Sequence, residues 1–338
     1  MRRLLVLGGS AFVGRAVVDA ALSRGWAVSV FNWDRNTAIG CGHASGDRVV
    51  EHILGDRTRP EDLGALRGQS WDQVVDTWQG PSEAVRTAAR LLSDSVESYC
   101  YISSLTVYQY PAPAPLTETQ PVLRTTSDDW AEYPVRKAAA ERALVEVFGE
   151  RALLARAGLI VGPREYVGRL PWWLLRMRDH AEVLTPGPAG RQLQYIDARD
   201  LAEWVLDAGH DHVNGAYNIV CPPGHATMGR LLEACRQVTG STTTLRWVDE
   251  NRMLESGVQP WSELPLWIPR RHGEADVYNV DVSRALSAGA RFRPLEVTVA
   301  DTWAWLTESA ARPKTLQPRP WLTRAREAEL LSIARELN

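Results

Sequence analysis

The chain has 338 residues, enough for one large domain or two medium ones around a substantial core. Lys and Arg total 38 against 41 Asp and Glu, a formal charge of -3, which argues against nucleic acid or an anionic membrane as a partner. Four scattered cysteines (Cys41, Cys100, Cys221, Cys235) lack CxxC spacing, so a reduced, cytoplasmic setting without a structural metal is expected, and no run reaches the length of a membrane span.

Residues 3–7 read as a continuous apolar strand that runs into Gly8-Gly9-Ser10-Ala11-Phe12-Val13-Gly14. Phe12 to Arg24 reads as a helix, stopped by Gly25. Strands follow at Ala27–Phe31 and Val49–Leu54. A short helical piece at Glu61–Leu66 precedes a strand at Asp72–Asp76, a helix at Pro81–Ser93 and a strand at Ser98–Ser103. This alternation predicts an α/β fold, a doubly wound parallel sheet with helices on both faces. Residues 110–130 are a Pro- and Thr-rich loop, Trp130–Phe148 a long helix, and Arg151–Leu159 contains the sixth strand.

The texture changes at Gly162, where Pro, Gly, Arg and Trp mix. Helices are expected at Leu170–Arg178, from the Tyr195–Leu201 stretch to Ala208, at Thr227–Thr239 and at Val299–Ser309. A strand is expected at Ala216–Val220, with irregular chain before Val277. The predicted organisation is a sheet domain over 1–161 plus about 196–217, and a small discontinuous lobe over 162–195 and 218–310. Residues 311–338 form a basic, Pro-broken linker with a short helix. Most of the fourteen tryptophans read as core, with a remainder suited to an aromatic pocket.

The first turn reads as a dinucleotide cradle. Gly8 can adopt a backbone angle that a side chain forbids, Gly9 lets the chain approach a pyrophosphate, and Gly14 lets the helix sit close to the sheet. The helix start offers free N–H groups to the phosphates. The usual spacing puts a further glycine where Ala11 stands. After the second strand, Asn32-Trp33-Asp34-Arg35 offers both an acid for a ribose diol and an arginine for a 2′-phosphate, and Asp56-Arg57 gives another phosphate partner. The cofactor is read as NADP or NAD, tilted towards NADP.

With these motifs the chain resembles the extended short-chain dehydrogenase/reductase family, in its NAD(P)-dependent epimerase/dehydratase branch. The resemblance spans roughly residues 1–310. It rests on the glycine turn, Gly55-Asp56-Arg57, Asp76-Thr77-Trp78, Tyr101-Ile102-Ser103-Ser104-Leu105-Thr106-Val107-Tyr108, Tyr133-x-x-x-Lys137, Arg156–Pro163 and Tyr195–Leu201. It implies a Rossmann-type sheet with a C-terminal substrate lobe. Ser104 takes the catalytic serine position, Tyr133 is the acid/base, and Lys137 is its partner and holds the nicotinamide ribose. Thr77, Trp78, Ser103, Leu159 and Val161 fall at cofactor-facing positions, and the same likeness makes a homodimer through the long helices an expectation.

Tyr133 and Lys137 stand four apart, on one helical face, and a nearby ammonium is expected to lower the phenol's pKa towards the working range. Pro134 biases Tyr133 towards the helix start. The substrate is expected to be a small, partly apolar metabolite, oxidised or reduced at a hydroxyl or carbonyl. Trp78, Ser104, Trp130, Trp172, Trp173, Trp261 and Trp267 are candidates for its pocket, and Arg164 and Arg169 for an anionic group. Sugar epimerisation or dehydration with recycled NAD is the alternative enzyme reading. Against it, the position where nucleotide-sugar enzymes often carry arginine reads Leu193-Gln194. A non-catalytic cofactor-binding protein is the remaining alternative.

Overall fold

The computed structural model describes residues 1–33, 50–124, 132–269, 277–308, 316 and 319–336. β1 (Arg3–Leu7) is buried along its last four residues, as a central parallel strand requires. It turns at Gly8 into α1 (Phe12–Ser23), which buries Val17, Val18, Ala20 and Ala21. β2 (Ala27–Asn32), β3 (Glu51–Leu54), β4 (Trp71–Asp76), α2 (Ser82–Leu92) and β5 (Val96–Ser104) follow. Next come α3 (Tyr133–Phe148), β6 (Ala152–Ala157), β7 (Leu159–Val161), α4 (Arg169–Asp179), β8 (Glu182–Pro186), β9 (Gln192–Leu193), β10 (Tyr195–Asp197), α5 (Ala198–His210) and β11 (Gly215–Ile219).

Seven parallel strands form one sheet in the order β11-β6-β5-β4-β1-β2-β3. The winding reverses between β1 and β4, so their C-terminal ends flank the crevice in which such sheets bind ligands. The register sets Leu7 beside Asp76, which brings Gly8 next to Thr77. One face of the sheet buries residues of α1 and α5, the other residues of α2 and α3. This is a Rossmann-type α/β sheet.

The rest of the chain builds a distinct C-terminal lobe. It adds β12 (Ala226–Thr227), α6 (Met228–Val238), β13 (Thr244–Val248), α7 (Glu250–Glu255), α9 (Leu295–Thr307) and α10 (Arg324–Glu336), while α8 (Ser283–Ser287) returns to the sheet core through Ala285. Three two-stranded pairs, β10 with β7, β12 with β9 and β13 with β8, frame a core that includes Trp173, Met177, Leu232, Trp267 and Val299. Leu322, Leu330 and Leu331 bring the C-terminal segment into that core. Among the described residues, no helix is long and apolar enough to cross a membrane.

Two local expectations are corrected. β13 and α7 occupy a stretch read as irregular, because β13 is mostly exposed or half-exposed and shows little apolar alternation. The long helix starts at Tyr133, with Glu132 as its cap residue and Pro134 in the first turn, where a missing N–H costs least. Trp130 lies outside the described residues.

Candidate active site

The glycine turn is shaped by close approach. Gly8 sits at φ +95°, and a Cβ there would fall on the Thr77 hydroxyl. Thr77 Oγ1 donates towards the Leu7 carbonyl at 3.1 Å, tying the ends of β1 and β4 together. A Cβ on Gly14 would fall on the Gly8 carbonyl oxygen, so only glycine lets α1 start so near the turn. Gly9 carries a packing constraint beside the role expected of it. Its Cβ would meet Val30 at 2.8 Å and Val18 at 3.2 Å, so its lack of a side chain serves packing beneath the turn. Phe12 enters α1 at φ +30° with its ring edge-on to Tyr166, centroids 6.3 Å apart.

The start of α1 has no side-chain cap, and its first turn carries no acid. The unsatisfied N–H groups and positive dipole end there suit a diphosphate, beside Ser10, Ala11 and Val13. At the end of β2, Asn32 Nδ2 is buried without a hydrogen-bond partner among the described residues, and Trp33 is 79% exposed. An orphaned donor and a free aromatic face fit the adenosine side of a dinucleotide. Asp34 and Arg35 lie outside the described residues. Asp56 uses one carboxylate oxygen on the N–H and hydroxyl of Thr58, at 2.9 and 2.7 Å, and these bonds hold its pKa below the ordinary value.

Arg57 does not reach out to a phosphate. Its guanidinium makes a two-pronged ion pair with Asp76, at 2.5 and 2.8 Å, and both residues are buried. Arg57 also stacks on Trp78, 4.8 Å from the ring. Trp78 is itself tied down, its indole N–H donating to the Pro81 carbonyl at 2.8 Å.

Ser104, Tyr133 and Lys137 come together where β5 ends and α3 begins. Ser104 Oγ accepts from the Thr106 N–H at 3.2 Å and the Thr106 hydroxyl at 2.9 Å. Its own proton is left to point onward, and it lies against the Tyr133 phenol. Thr106 was missed in the sequence, although a serine followed two residues later by threonine at a strand end is a known local turn pattern. Lys137 Nζ is buried, donating to the carbonyls of Trp78 at 2.7 Å and Ile102 at 2.6 Å, and lies 5.8 Å from the Tyr133 ring centre.

The expected tuning of Tyr133 is corrected. Burial raises its pKa, while Ser104, Arg169 and Arg136 pull the other way without cancelling the rise. Lys137 is the group brought into the neutral range. Burial lowers it to about 7 against the pull of Asp76 and Glu141. Ser103 belongs to a structural network, its hydroxyl donating to buried Glu141 at 2.6 Å, where Arg156 also binds.

On the substrate side the arginines separate. Arg169 opens α4, acts on the Tyr133 phenol, and stacks on the half-exposed Trp261 at 5.1 Å. Its partner Glu165, 3.5 Å away, is fully buried. Arg164 pairs with Asp19 of α1 at 3.1 Å instead. Trp173 is core, with its indole N–H on the Pro265 carbonyl at 2.8 Å, and Trp172 packs between Trp173 and Arg176. Leu159 and Val161 line a small apolar cavity inside the C-terminal lobe, together with Leu193 and Tyr195. Trp261, one of the tryptophans read as pocket candidates, thus stands over Arg169, while Tyr166, not singled out from the sequence, lies edge-on to Phe12.

The sheet, the glycine turn and the tyrosine–lysine helix define an NAD(P)-binding Rossmann-fold enzyme. A family model described as the NAD dependent epimerase/dehydratase family matches residues 4–220, and the chain belongs to that family. Its structure is similar to the Bordetella bronchiseptica enzyme WbmH in complex with NAD+, at 18% identity and a TM-score of 0.68, covering 91% of this chain and 99% of the other. A UDP-glucose 4-epimerase gives 15% identity and a TM-score of 0.66, with 91% and 98% covered. The UDP-glucose 4-epimerase of Thermus thermophilus, in complex with NAD, gives 19% and 0.62, with 89% and 99% covered. At these identities the likeness is one of fold. No curated protein sequence matches the chain.

Proposed function

We propose that this protein is an NAD(P)-dependent epimerase-type enzyme that acts on a hydroxyl-bearing carbon of a sugar nucleotide or a related sugar, with no net consumption of cofactor. The observation that carries this reading is the Ser104–Tyr133–Lys137 cluster, set beside an uncapped helix start at the reversal point of the sheet. The family match and the epimerase names of the similar structures support it. Bound nicotinamide would supply hydride exchange. The chain supplies the rest. Ser104, its oxygen loaded by Thr106, holds the substrate oxygen with its free proton. Tyr133 moves the proton at that same oxygen. Its raised pKa keeps the phenol protonated at neutral pH, ready to donate in the reducing direction, and the nearby arginines ease the reverse transfer. Arg169 and Trp261 offer a cation and a flat face to the part of the substrate next to the reacting carbon.

A second reading, net oxidoreduction of a metabolite without a diphosphate, is favoured by one feature. Leu193 and Gln194 are both buried, and Gln194 spends its amide on Cys221 and Val280. No arginine stands there to meet a diphosphate.

Incubation with NAD+ and UDP-glucose separates the two. Conversion to an isomer without a rise in NADH absorbance supports the epimerase reading; no isomer from UDP-glucose, together with stoichiometric NADH from a hydroxyl-bearing metabolite that lacks a diphosphate, supports the second. In either case Tyr133→Phe should reduce turnover by about 10²–10⁴-fold while NADH affinity stays nearly constant. Unchanged turnover would remove Tyr133 from the chemistry.

A further inference from the structure

The crevice end of β4 holds more buried charge than a strand end needs. Asp76 is fully buried and accepts four hydrogen bonds. Its Oδ1 takes Arg57 Nη1 at 2.5 Å and the Trp78 N–H at 2.9 Å; its Oδ2 takes Arg57 Nη2 at 2.8 Å and the Tyr99 hydroxyl at 2.7 Å. The Trp78 N–H bond fixes the residue whose carbonyl receives Lys137 Nζ at 2.7 Å. The same carbonyl accepts from the Tyr101 hydroxyl at 2.9 Å, and Lys137 Nζ lies 4.5 Å from the Tyr101 ring centre. Arg57 reaches this point from the loop after β3 and covers the Trp78 ring. Trp78 is therefore held on every side, its N–H by the Asp76 carboxylate, its ring by the Arg57 guanidinium and its carbonyl by the Tyr101 phenol, and that carbonyl holds the amine.

We propose that Arg57 and Asp76 form a positioning unit that fixes the Lys137 amine through the Trp78 carbonyl. The unit rests on the reading of Lys137 as part of the active site, but its geometry does not depend on which reaction is catalysed. A buried ion pair is weak evidence for stability, because desolvation offsets most of the attraction, so a role in placing a neighbouring group gives this pair a purpose. The charged and polar groups that face Lys137 are Asp76 from β4, Glu141 from its own helix, Arg57 from the β3 loop, and the rings of Tyr101 and Tyr133. Asp76 and Glu141 favour the ammonium and Arg57 opposes it, with Asp76 the stronger of the Arg57–Asp76 pair.

The sequence makes a direct test available, because Lys137 and Lys314 are its two lysines. Protein labelled with ¹³C-lysine gives two side-chain signals, and Lys137→Arg identifies which is which. Asp76→Asn alone strands the Arg57 charge, so the primary variant is Asp76→Asn with Arg57→Gln; Tyr99→Phe, which removes one bond to Asp76, is the milder second. The expected result for the double variant is a changed Lys137 chemical shift and a titration midpoint lower by about one pH unit. The expected result for Tyr99→Phe is a smaller change in the Lys137 chemical shift, as the Asp76 carboxylate that holds the Trp78 N–H loses one of its four bonds. Because removing two charges shifts the midpoint through the field alone, Tyr99→Phe, which leaves both charges in place, decides: if it folds, judged by circular dichroism, yet keeps the wild-type Lys137 shift, the proposal is overturned. NADH titration of the same wild-type sample keeps the two ideas apart. Loss of the functional reading would appear there as absent binding, with the lysine titration unaffected.

Discussion

Lys137 is an amine in a chain that otherwise answers almost every need for a permanent cation with arginine: of 38 Lys and Arg, only Lys137 and Lys314 are lysines. The site explains the exception. A guanidinium presents five donors in a rigid plane and stays charged, whereas an amine is compact and can lose its proton when buried. Between the Trp78 and Ile102 carbonyls there is a place for a compact donor, and burial brings its pKa down from 10.5 to about 7. This has a consequence for stability. Below pH 7 folded and unfolded chains both hold the proton, and burying the charge costs its full amount, on the order of 5 kcal/mol. Between about 7 and 10.5 only the unfolded chain keeps the proton, so this group's contribution rises with pH. Lys137→Met removes that dependence while also losing the two carbonyl bonds. Its stability relative to wild type should therefore fall by about 3–5 kcal/mol between pH 6.5 and 10.5. Urea unfolding at the two pH values measures this, and a constant difference would show that the lysine is not buried as a charge.

At the scale of elements, the junction of β1 and α1 tolerates least. The Gly8 carbonyl occupies the place a Cβ on Gly14 would take, and both atoms belong to main chain, so neither can swing aside. Gly14→Ala should push α1 off the turn, weaken NADH binding at least tenfold and lower the melting temperature by several degrees. Gly64→Ala is the control, since a Cβ there meets nothing within 4 Å, and both properties should hold. This junction was legible in the sequence because its signals are local: an apolar strand, two glycines, and a third where the helix must touch the turn. The parallel sheet was legible for the same reason, as β1 is apolar from Leu4 to Leu7 and β4 and β5 carry short buried runs, Val74-Val75 and Tyr99–Ile102. What could not be read is non-local. Arg57 and Asp76 lie 19 residues apart on separate elements, and their local context suggested phosphate binding for the one and nothing for the other. Ser103 was a near miss. Successive strand residues face opposite ways, so Ser103 and Ser104 could not both look into the site, and it is Ser103 that turns to Glu141 on α3. Trp173 was misread because a large aromatic near a site looks the same in sequence whether it serves the ligand or the core.

Across the whole molecule, the C-terminal segment braces the lobe that faces the sheet. Glu327 is 2% exposed and pairs with Arg176 of α4, while its other oxygen accepts the Leu184 N–H of β8 at 3.0 Å. Burial and Arg176 hold His180 below its ordinary pKa, so at neutral pH Arg176 is the charged partner of the carboxylate. The Leu322 N–H donates to Glu263 at 2.8 Å, Arg326 to Ser256 at 2.5 Å, and Leu316 packs against Gly168. Those contacts hold both sides of the proposed substrate mouth, since Arg169 follows Gly168 and Trp261 lies between Ser256 and Glu263. Glu327→Gln leaves Arg176 buried without its counter-charge and should cost about 3–5 kcal/mol of stability. Arg176→Met added to it removes the stranded charge and should recover much of that loss. The sheet and its glycine turn lie outside this bracing, so NADH affinity should stay within about twofold in both variants, whereas the KM for the substrate should rise in Glu327→Gln. Chemical unfolding and NADH titration on the same samples decide the matter. Parallel loss of NADH binding would mean that the tail supports the whole molecule, and unchanged unfolding would mean that the Glu327–Arg176 pair does not brace the lobe.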